Sequence, residues 1–402
     1  MSTALAHPKL ISLAAGFTDN ASLPVAETRA LLNEILRSPR TGQAALQYGT
    51  TLGDPALRRL TARHWQSLDR VNGEPKGCSP DRLIITSGSQ QLLYMTTEAL
   101  CDPGDIVMVE DPTYFVYAGI LQSQGVSARG VRLERDGLDL THLERVLERL
   151  NRRGELRRVK LLYLVSYYQN PTGVTTSLAK KAEVLKLLKH YERAAGRPLY
   201  LLEDTAYREL RFTGEDVPSA LSVRGATERV ILTGTYSKPF ATGARVGFGF
   251  LPAPVFNAVT RIKGNHDFGT SNLLQQLLAR ALATGTYDRH LAVLRRRYAQ
   301  KARVMQSALE AHFPAEVEWW QPEGGLYFWA RLPRRVASGA KSKLFQSALA
   351  HDVLYVPGEL CYANDPTRRK PDHEMRLSFG GASEANIREG IKRLGGVLRE
   401  II

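Results

Sequence analysis

From about residue 80 the chain alternates short apolar runs with longer amphipathic stretches. Leu83-Ile84-Ile85-Thr86 reads as a strand and Gln90 to Leu100 as a helix; Asp105 to Glu110 reads as a strand and Pro112 to Gln124 as a helix. Val126 to Leu133, Lys160 to Val165, Leu199 to Leu202 and Val230 to Thr233 are further strands, with helices over Leu140 to Arg152 and Ser177 to Ala195. Repeated strand-helix-strand units imply an α/β fold, a mainly parallel sheet with helices on both faces. After about residue 285 the pattern changes. Tyr287 to His312 is one long arginine-rich helix, followed by strands over Gly325 to Leu332, Val353 to Val356 and Met375 to Phe379 and helices over Ser342 to Ala350 and Glu384 to Leu398. This predicts a smaller α+β domain at 286–402 beside a large domain at 46–285, with residues 1–45 as an arm and helix returning to the small domain.

A length of 402 residues suits two or three domains and a core that needs neither disulfides nor metal. No 18-residue apolar run is present, so no membrane partner is expected. Met1 to Pro8 lacks the basic stretch and apolar core of a signal peptide. Three scattered cysteines, Cys78, Cys101 and Cys361, exclude a disulfide framework and a CxxC site and suit a cytoplasmic protein. His64, His190, His266 and His351 stand in no metal-ligand spacing, so no metal is expected. With 54 Lys+Arg against 40 Asp+Glu the net charge is +14, which raises nucleic acid as a partner. The basic residues are scattered, however, and runs such as Arg295-Arg296-Arg297 lack aromatic interleaving, so a basic surface and no nucleic acid are expected.

Four stretches carry chemistry, each after a strand, where ligands bind in open α/β sheets. Thr86-Ser87-Gly88-Ser89-Gln90-Gln91 puts a glycine turn and hydroxyls at a helix start, a phosphate cradle by dipole and donors, although Ser89 alone reads as a plain N-cap. Gln169-Asn170-Pro171-Thr172-Gly173 is a polar turn. In Leu201-Leu202-Glu203-Asp204-Thr205-Ala206-Tyr207 an acid ends a buried strand and needs a partner, either a protonated ring nitrogen of a cofactor or else a core arginine or a helix end. Thr235-Tyr236-Ser237-Lys238, with Arg245, holds a lysine able to form a Schiff base, or else a basic loop on a basic protein.

Together, in this order, these stretches resemble the pyridoxal-phosphate-dependent class I/II aminotransferases of fold type I, within them the 2-aminoadipate/kynurenine aminotransferase-like group. Leu46-Gln47-Tyr48-Gly49, Gly53-Asp54-Pro55, Asp111-Pro112-Thr113-Tyr114, Gly324-Gly325-Leu326-Tyr327-Phe328-Trp329 and Met375-Arg376-Leu377-Ser378-Phe379 extend the match from about Ile11 to Leu398. The resemblance implies a seven-stranded, mainly parallel sheet in the large domain and pyridoxal 5'-phosphate as cofactor. It makes Lys238 the Schiff-base lysine and Asp204 the partner of the pyridine nitrogen. Tyr207 and Asn170 would bond the phenolic oxygen, and Tyr114 would stack on the ring. Ser89, Gln90, Thr235, Ser237 and Arg245 would hold the phosphate, joined by Tyr48 from the neighbouring subunit of a homodimer with shared active sites. Arg376, assisted by Asn170, would bind the substrate α-carboxylate.

The activity implied is ping-pong transfer of an amino group from an aromatic or 2-aminoadipate-like L-amino acid to a 2-oxo acid, 2-oxoglutarate being the expected acceptor. A pyridoxal-phosphate-dependent lyase or cyclase is the alternative enzyme, and an aminotransferase-like regulator is the alternative from another class. The chain departs from the group in two places. Only ten residues precede Ile11, and Thr205 stands where a second acid often follows the aspartate. The basic segment Tyr362 to His373, beside Arg376, is expected to favour acidic side chains through Arg368, Arg369 and Lys370.

Overall fold

The structure, a computed structural model, describes residues 10–69 and 77–402. Its main sheet contains β2 (Leu83–Thr86), β3 (Ile106–Asp111), β4 (Ser127–Glu134), β5 (Gly137–Leu138), β6 (Val159–Val165), β7 (Tyr200–Asp204), β8 (Val230–Thr235) and β9 (Gly247–Phe250). They lie in the order β2-β9-β8-β7-β6-β3-β4-β5. The pairs β3–β4, β3–β6, β6–β7 and β7–β8 are parallel; β9 runs antiparallel to both neighbours, so β2 shares the common direction. Seven strands make the expected sheet. The eighth, β5, is a two-residue hairpin return on the edge strand β4. All seven residues of β6 and all six of β8 are buried, as strands covered by helices on both faces must be.

Element ends differ from the sequence reading where side-chain pattern is blind to backbone. The helix expected from Pro112 begins at Phe115, because the Asp111–Pro112 bond is cis and Tyr114 is extended. Val353 to Val356 is not one strand. Val353–Leu354 (β12) pairs in parallel with Ile11–Ser12 (β1), whereas Val356–Pro357 (β13) belongs to a second sheet. That four-stranded antiparallel sheet has the order β10-β11-β14-β13, with β10 Glu318–Trp319, β11 Tyr327–Arg331 and β14 Glu374–Ser378. Helices over Pro55–Leu68, Ala253–His266 and Asn272–Ala283 were not marked by the apolar pattern.

The N-terminal segment bridges β12 and the second sheet: Leu13 N–H donates to Leu354 O at 2.8 Å, and Ser378 N–H to Leu13 O at 2.7 Å. The helices Val25–Ile35 and Pro39–Leu46 then pack on Asn272–Ala283. Among the described residues no helix is long and apolar enough to cross a membrane, and Cys78, Cys101 and Cys361 are free thiols.

Candidate active site

Because β2, β3, β6, β7 and β8 share one direction, the loops after them emerge at one edge of the sheet. Ser87 to Ser89 follow β2, Tyr114 follows β3, Asn170 follows β6, Tyr207 follows β7 and Lys238 follows β8. Arg245 joins them because β9 runs back from that edge.

The helix Ser89–Leu100 is unlike its neighbours at its start. Asp54, Asp139, Ser177, Ser342 and Ser383 each cap a helix by accepting the N–H three residues on. Gly88 caps Ser89–Leu100 with no side-chain bond, which leaves N–H groups at the positive end of the helix dipole without a side-chain acceptor. Gly88 has φ +81°, and a Cβ there would stand 2.7 Å from the Arg245 guanidinium. A Cβ on Gly247 would meet Gly88 C and Ser89 N at 2.5 Å. Two glycines thus let β9, the helix start and Arg245 close on one another. Arg245 Nη1 donates to Ser237 Oγ at 3.3 Å, and Ser237 N–H to Thr235 Oγ1 at 3.0 Å. Ser89, Thr235, Ser237 and Arg245 therefore form one cup of donors. Gln90 is exposed on the helix start.

Asp204 ends β7 and is buried. Tyr163 Oη donates to its Oδ2 at 3.0 Å and Ala206 N–H to Oδ1 at 3.0 Å. No lysine or arginine among the described residues pairs with it. Burial pushes its pKa up to about 6 despite both hydrogen bonds. Of the partners open to Asp204, no core arginine is present among the described residues and a backbone N–H, that of Ala206, takes one oxygen, so a cation from a ligand still fits. Lys238 Nζ donates to Gly16 O at 2.9 Å and lies 5.9 Å from the Tyr207 ring centroid. Burial lowers its pKa; Tyr327 opposes that shift, and the charges of Arg376 and Arg245 add to it.

Arg376 is buried on β14. Its Nη1 donates to Asn170 Oδ1 at 2.7 Å and its Nη2 to Ala14 O at 2.6 Å, while Nε is buried without a partner. Its guanidinium carbon lies 4.3 Å from the Tyr327 ring centroid and 5.6 Å from that of Phe115. Tyr114 is half-buried, its hydroxyl pKa raised by burial and by the charges of Tyr327 and Asp204, and lowered by Arg376 and Arg245. Tyr48 stands apart. Its side chain is 83% exposed, with its ring edge-on to Phe268 at 5.4 Å. Arg368, expected at the substrate entrance, is committed elsewhere: Nη2 donates to Asp111 Oδ1 at 2.5 Å, and its guanidinium lies over Tyr362. Of the basic segment, only Arg369 and Lys370 stay outside that pair.

Three residues belong to this constellation without having been singled out. Tyr327 Oη lies 3.1 Å from Tyr207 Oη. Glu110, buried on β3, accepts from Val165 N–H at 2.9 Å and Gln169 Nε2 at 2.7 Å. Gln169 also donates to Pro112 O at 3.1 Å, so this pair ties the Asp111–Pro112 turn to the Asn170–Pro171 turn. Their signal was adjacency: Tyr327 lies in Gly324 to Trp329, Glu110 precedes Asp111-Pro112, and Gln169 precedes Asn170.

A buried carboxylate without a cation, an amine of lowered pKa and an anion cup at a helix start are the three fixtures that a phosphorylated pyridine aldehyde requires. The residues present fit pyridoxal phosphate.

The family described as aminotransferase class I and II matches residues 8–394. Aromatic-amino-acid aminotransferase 1 of Thermococcus litoralis is 33% identical over 392 residues, covering 97% of this chain and 88% of that protein. The 2-aminoadipate transaminase of Thermus thermophilus is 32% identical over 398 residues, covering 98% and 92%. The crystal structure of Pyrococcus horikoshii kynurenine aminotransferase, in complex with PMP, superposes with a TM-score of 0.89 at 30% identity, covering 100% of this chain and 93% of that one. A match that runs nearly end to end, over a strand edge that gathers these groups, has one meaning: the chain belongs to the class I and II aminotransferases and is a pyridoxal-phosphate-dependent enzyme of that family.

Proposed function

We propose that the enzyme moves the amino group of an aromatic or 2-aminoadipate-like L-amino acid to 2-oxoglutarate, with Lys238 as the catalytic residue. The observation that carries this reading is the placing of Arg376, fixed by Asn170 and Ala14 and flanked by the Tyr327 and Phe115 rings, at the site where the Lys238 amine also points. A buried guanidinium forks onto a carboxylate, so an α-amino acid anchored there offers its Cα to one amine. The aromatic rings suit an aromatic side chain. The names of the relatives support the same donor range.

When bound, pyridoxal phosphate supplies a carbonyl that receives the amino group and a ring that spreads the charge left at the substrate Cα. The rest is the work of this chain. Ser89, Gln90, Thr235, Ser237 and Arg245 would bind the phosphate. Asp204 would hold the ring nitrogen protonated, its charge then paired. Tyr207 and the Asn170 amide would donate to the phenolic oxygen, and Tyr114 would cover one ring face. Lys238 would hold the aldehyde covalently at rest. Freed by the incoming amine, with burial and the charges of Arg376 and Arg245 favouring its uncharged form, it would take the proton from the substrate Cα and deliver it to cofactor C4′.

The exposed Tyr48 side chain, with Leu46 and Phe268 also exposed beside it, supports a homodimer in which the partner subunit's Tyr48 completes the phosphate cup. Assaying the twenty common amino acids, 2-aminoadipate and kynurenine against 2-oxoglutarate tests the substrate reading. Turnover should concentrate on aromatic donors and 2-aminoadipate; a preference for small aliphatic donors would overturn it.

A further inference from the structure

Tyr327 sits at the centre of the constellation, its ring on Arg376 and its hydroxyl on Tyr207. It lies on β11, one diagonal step from Arg376, because Trp329 is the residue that pairs with Arg376 across to β14. Its ring lies under the Arg376 guanidinium, and its hydroxyl meets that of Tyr207 at 3.1 Å, with the two rings edge to face at 5.7 Å. Gly16 makes room for that hydroxyl, since a Cβ there would come within 2.7 Å of Tyr327 Oη. Each hydroxyl is the other's hydrogen-bond partner among the described residues.

We propose that Tyr327 is a positioning residue whose hydroxyl donates to Tyr207 Oη and thereby strengthens the hydrogen bond that Tyr207 gives to the phenolic oxygen of the bound ring. This rests on the proposed seat of the ring at Asp204, Tyr207 and Lys238. Tyr207 has a single proton. If that proton goes to the ring oxygen, the Tyr207 oxygen is left as an acceptor in a buried aromatic setting, where an unfilled acceptor is costly. Tyr327 is the donor placed to fill it, and donors in series polarise one another in a low-dielectric site. Arg376 on β14, Lys238 and Arg245 after β8, Tyr114 after β3 and Asp204 on β7 are the titratable groups facing the pair among the described residues.

Tyr327 thus couples two halves of the site. Its ring supports the guanidinium proposed to hold the substrate carboxylate, and its hydroxyl would tune how strongly Tyr207 donates to the phenolic oxygen of the bound ring. The two contributions separate by substitution. Tyr327→Phe keeps the ring and removes only the hydroxyl; Tyr327→Ala removes both.

The test is a pH titration of the visible absorbance of protein loaded with pyridoxal phosphate, for wild type, Tyr327→Phe, Tyr207→Phe and the double variant. Weaker donation would leave the phenolic oxygen more basic, so the midpoint must rise. Tyr327→Phe should raise it by about half a pH unit, the weight of one modest hydrogen bond. Tyr207→Phe should raise it further, and the double variant should sit where Tyr207→Phe does, because the Tyr327 effect passes through Tyr207. KM for the donor should stay within about twofold in Tyr327→Phe and rise several-fold in Tyr327→Ala, which loses the cation–π support. A wild-type midpoint in Tyr327→Phe, or an equal shift in the Tyr207→Phe background, overturns the proposal. Failure of the underlying site reading looks different: Lys238→Ala would then show the same visible absorbance as wild type.

Discussion

Burial acts on Asp204 and Lys238 in the same sense, toward the neutral form: it raises the carboxyl to about 6 and lowers the amine. A cationic ring nitrogen beside Asp204 would restore the charge of the first, and a shift of the second toward its uncharged form suits a base. Asp204→Asn removes that charge while keeping the shape. It should retain pyridoxal phosphate yet lose on the order of 10²–10³ in kcat, the weight of one preorganised electrostatic contact, as steady-state assays would show. Glu110 gives a pH prediction. Its folded pKa is raised to about 8 from an ordinary 4.5, mainly by burial. The folded state therefore keeps a proton that the unfolded state has released, and stability is lost as pH rises from 4.5 toward 8. Glu110→Gln should flatten that part of the Tm–pH curve, and an unchanged slope would mean that Glu110 is already ionised. These residues also mark what the sequence could tell. Asp204 stands out by itself because it ends an apolar run, whereas Asn170, Lys238 and Arg376 stand out through the motifs that surround them. Glu110 and Tyr327 do not, because only the pairings β3–β6 and β11–β14 bring Glu110 to Gln169 and Tyr327 to Arg376.

At the scale of elements, the strands of the parallel sheet were legible because continuous Val, Ile and Leu runs have little alternative. The helix Asn272–Ala283 was not, since its buried face includes Gln275, whose Oε1 accepts from Asp54 N–H at 2.7 Å and whose Nε2 donates to Thr270 O at 2.7 Å. Polar residues that serve the backbone in this way break an apolar stripe without breaking a helix. The split of Val353 to Val356 between two sheets likewise depends on partners remote in sequence. The phosphate cup depends on an element contact made possible by Gly247. Gly247→Ala should push the start of the Ser89 helix away from β9. We expect a loss on the order of 1–3 kcal/mol in denaturant unfolding together with faster loss of pyridoxal phosphate on dialysis. Weakened folding with normal cofactor retention would place the phosphate elsewhere.

At the scale of the whole molecule, the chain holds its site between a parallel sheet and an antiparallel one. The N-terminal segment seals the seam: Ala14 O reaches Arg376 and Gly16 O reaches Lys238. The excess charge of +14 resolves only in part, into Arg245 on Ser237, Arg376 on Asn170 and Arg368 spent on Asp111. If the partner subunit's Tyr48 completes each cup, then Tyr48→Ala and Lys238→Ala, co-expressed, should yield hybrid dimers with one intact site. Activity should exceed the sum of the two variants alone; a simple sum would argue against shared sites. The central claim is amino transfer through Lys238, and the direct test is the absorbance of the pyridoxal-phosphate-loaded enzyme mixed with an amino donor and no acceptor. The account predicts full conversion to the spectrum of bound pyridoxamine phosphate, with one equivalent of 2-oxo acid released per site in the wild type and no conversion in Lys238→Ala. Release of ammonia without that spectral change, or conversion by Lys238→Ala at the wild-type rate, would contradict it.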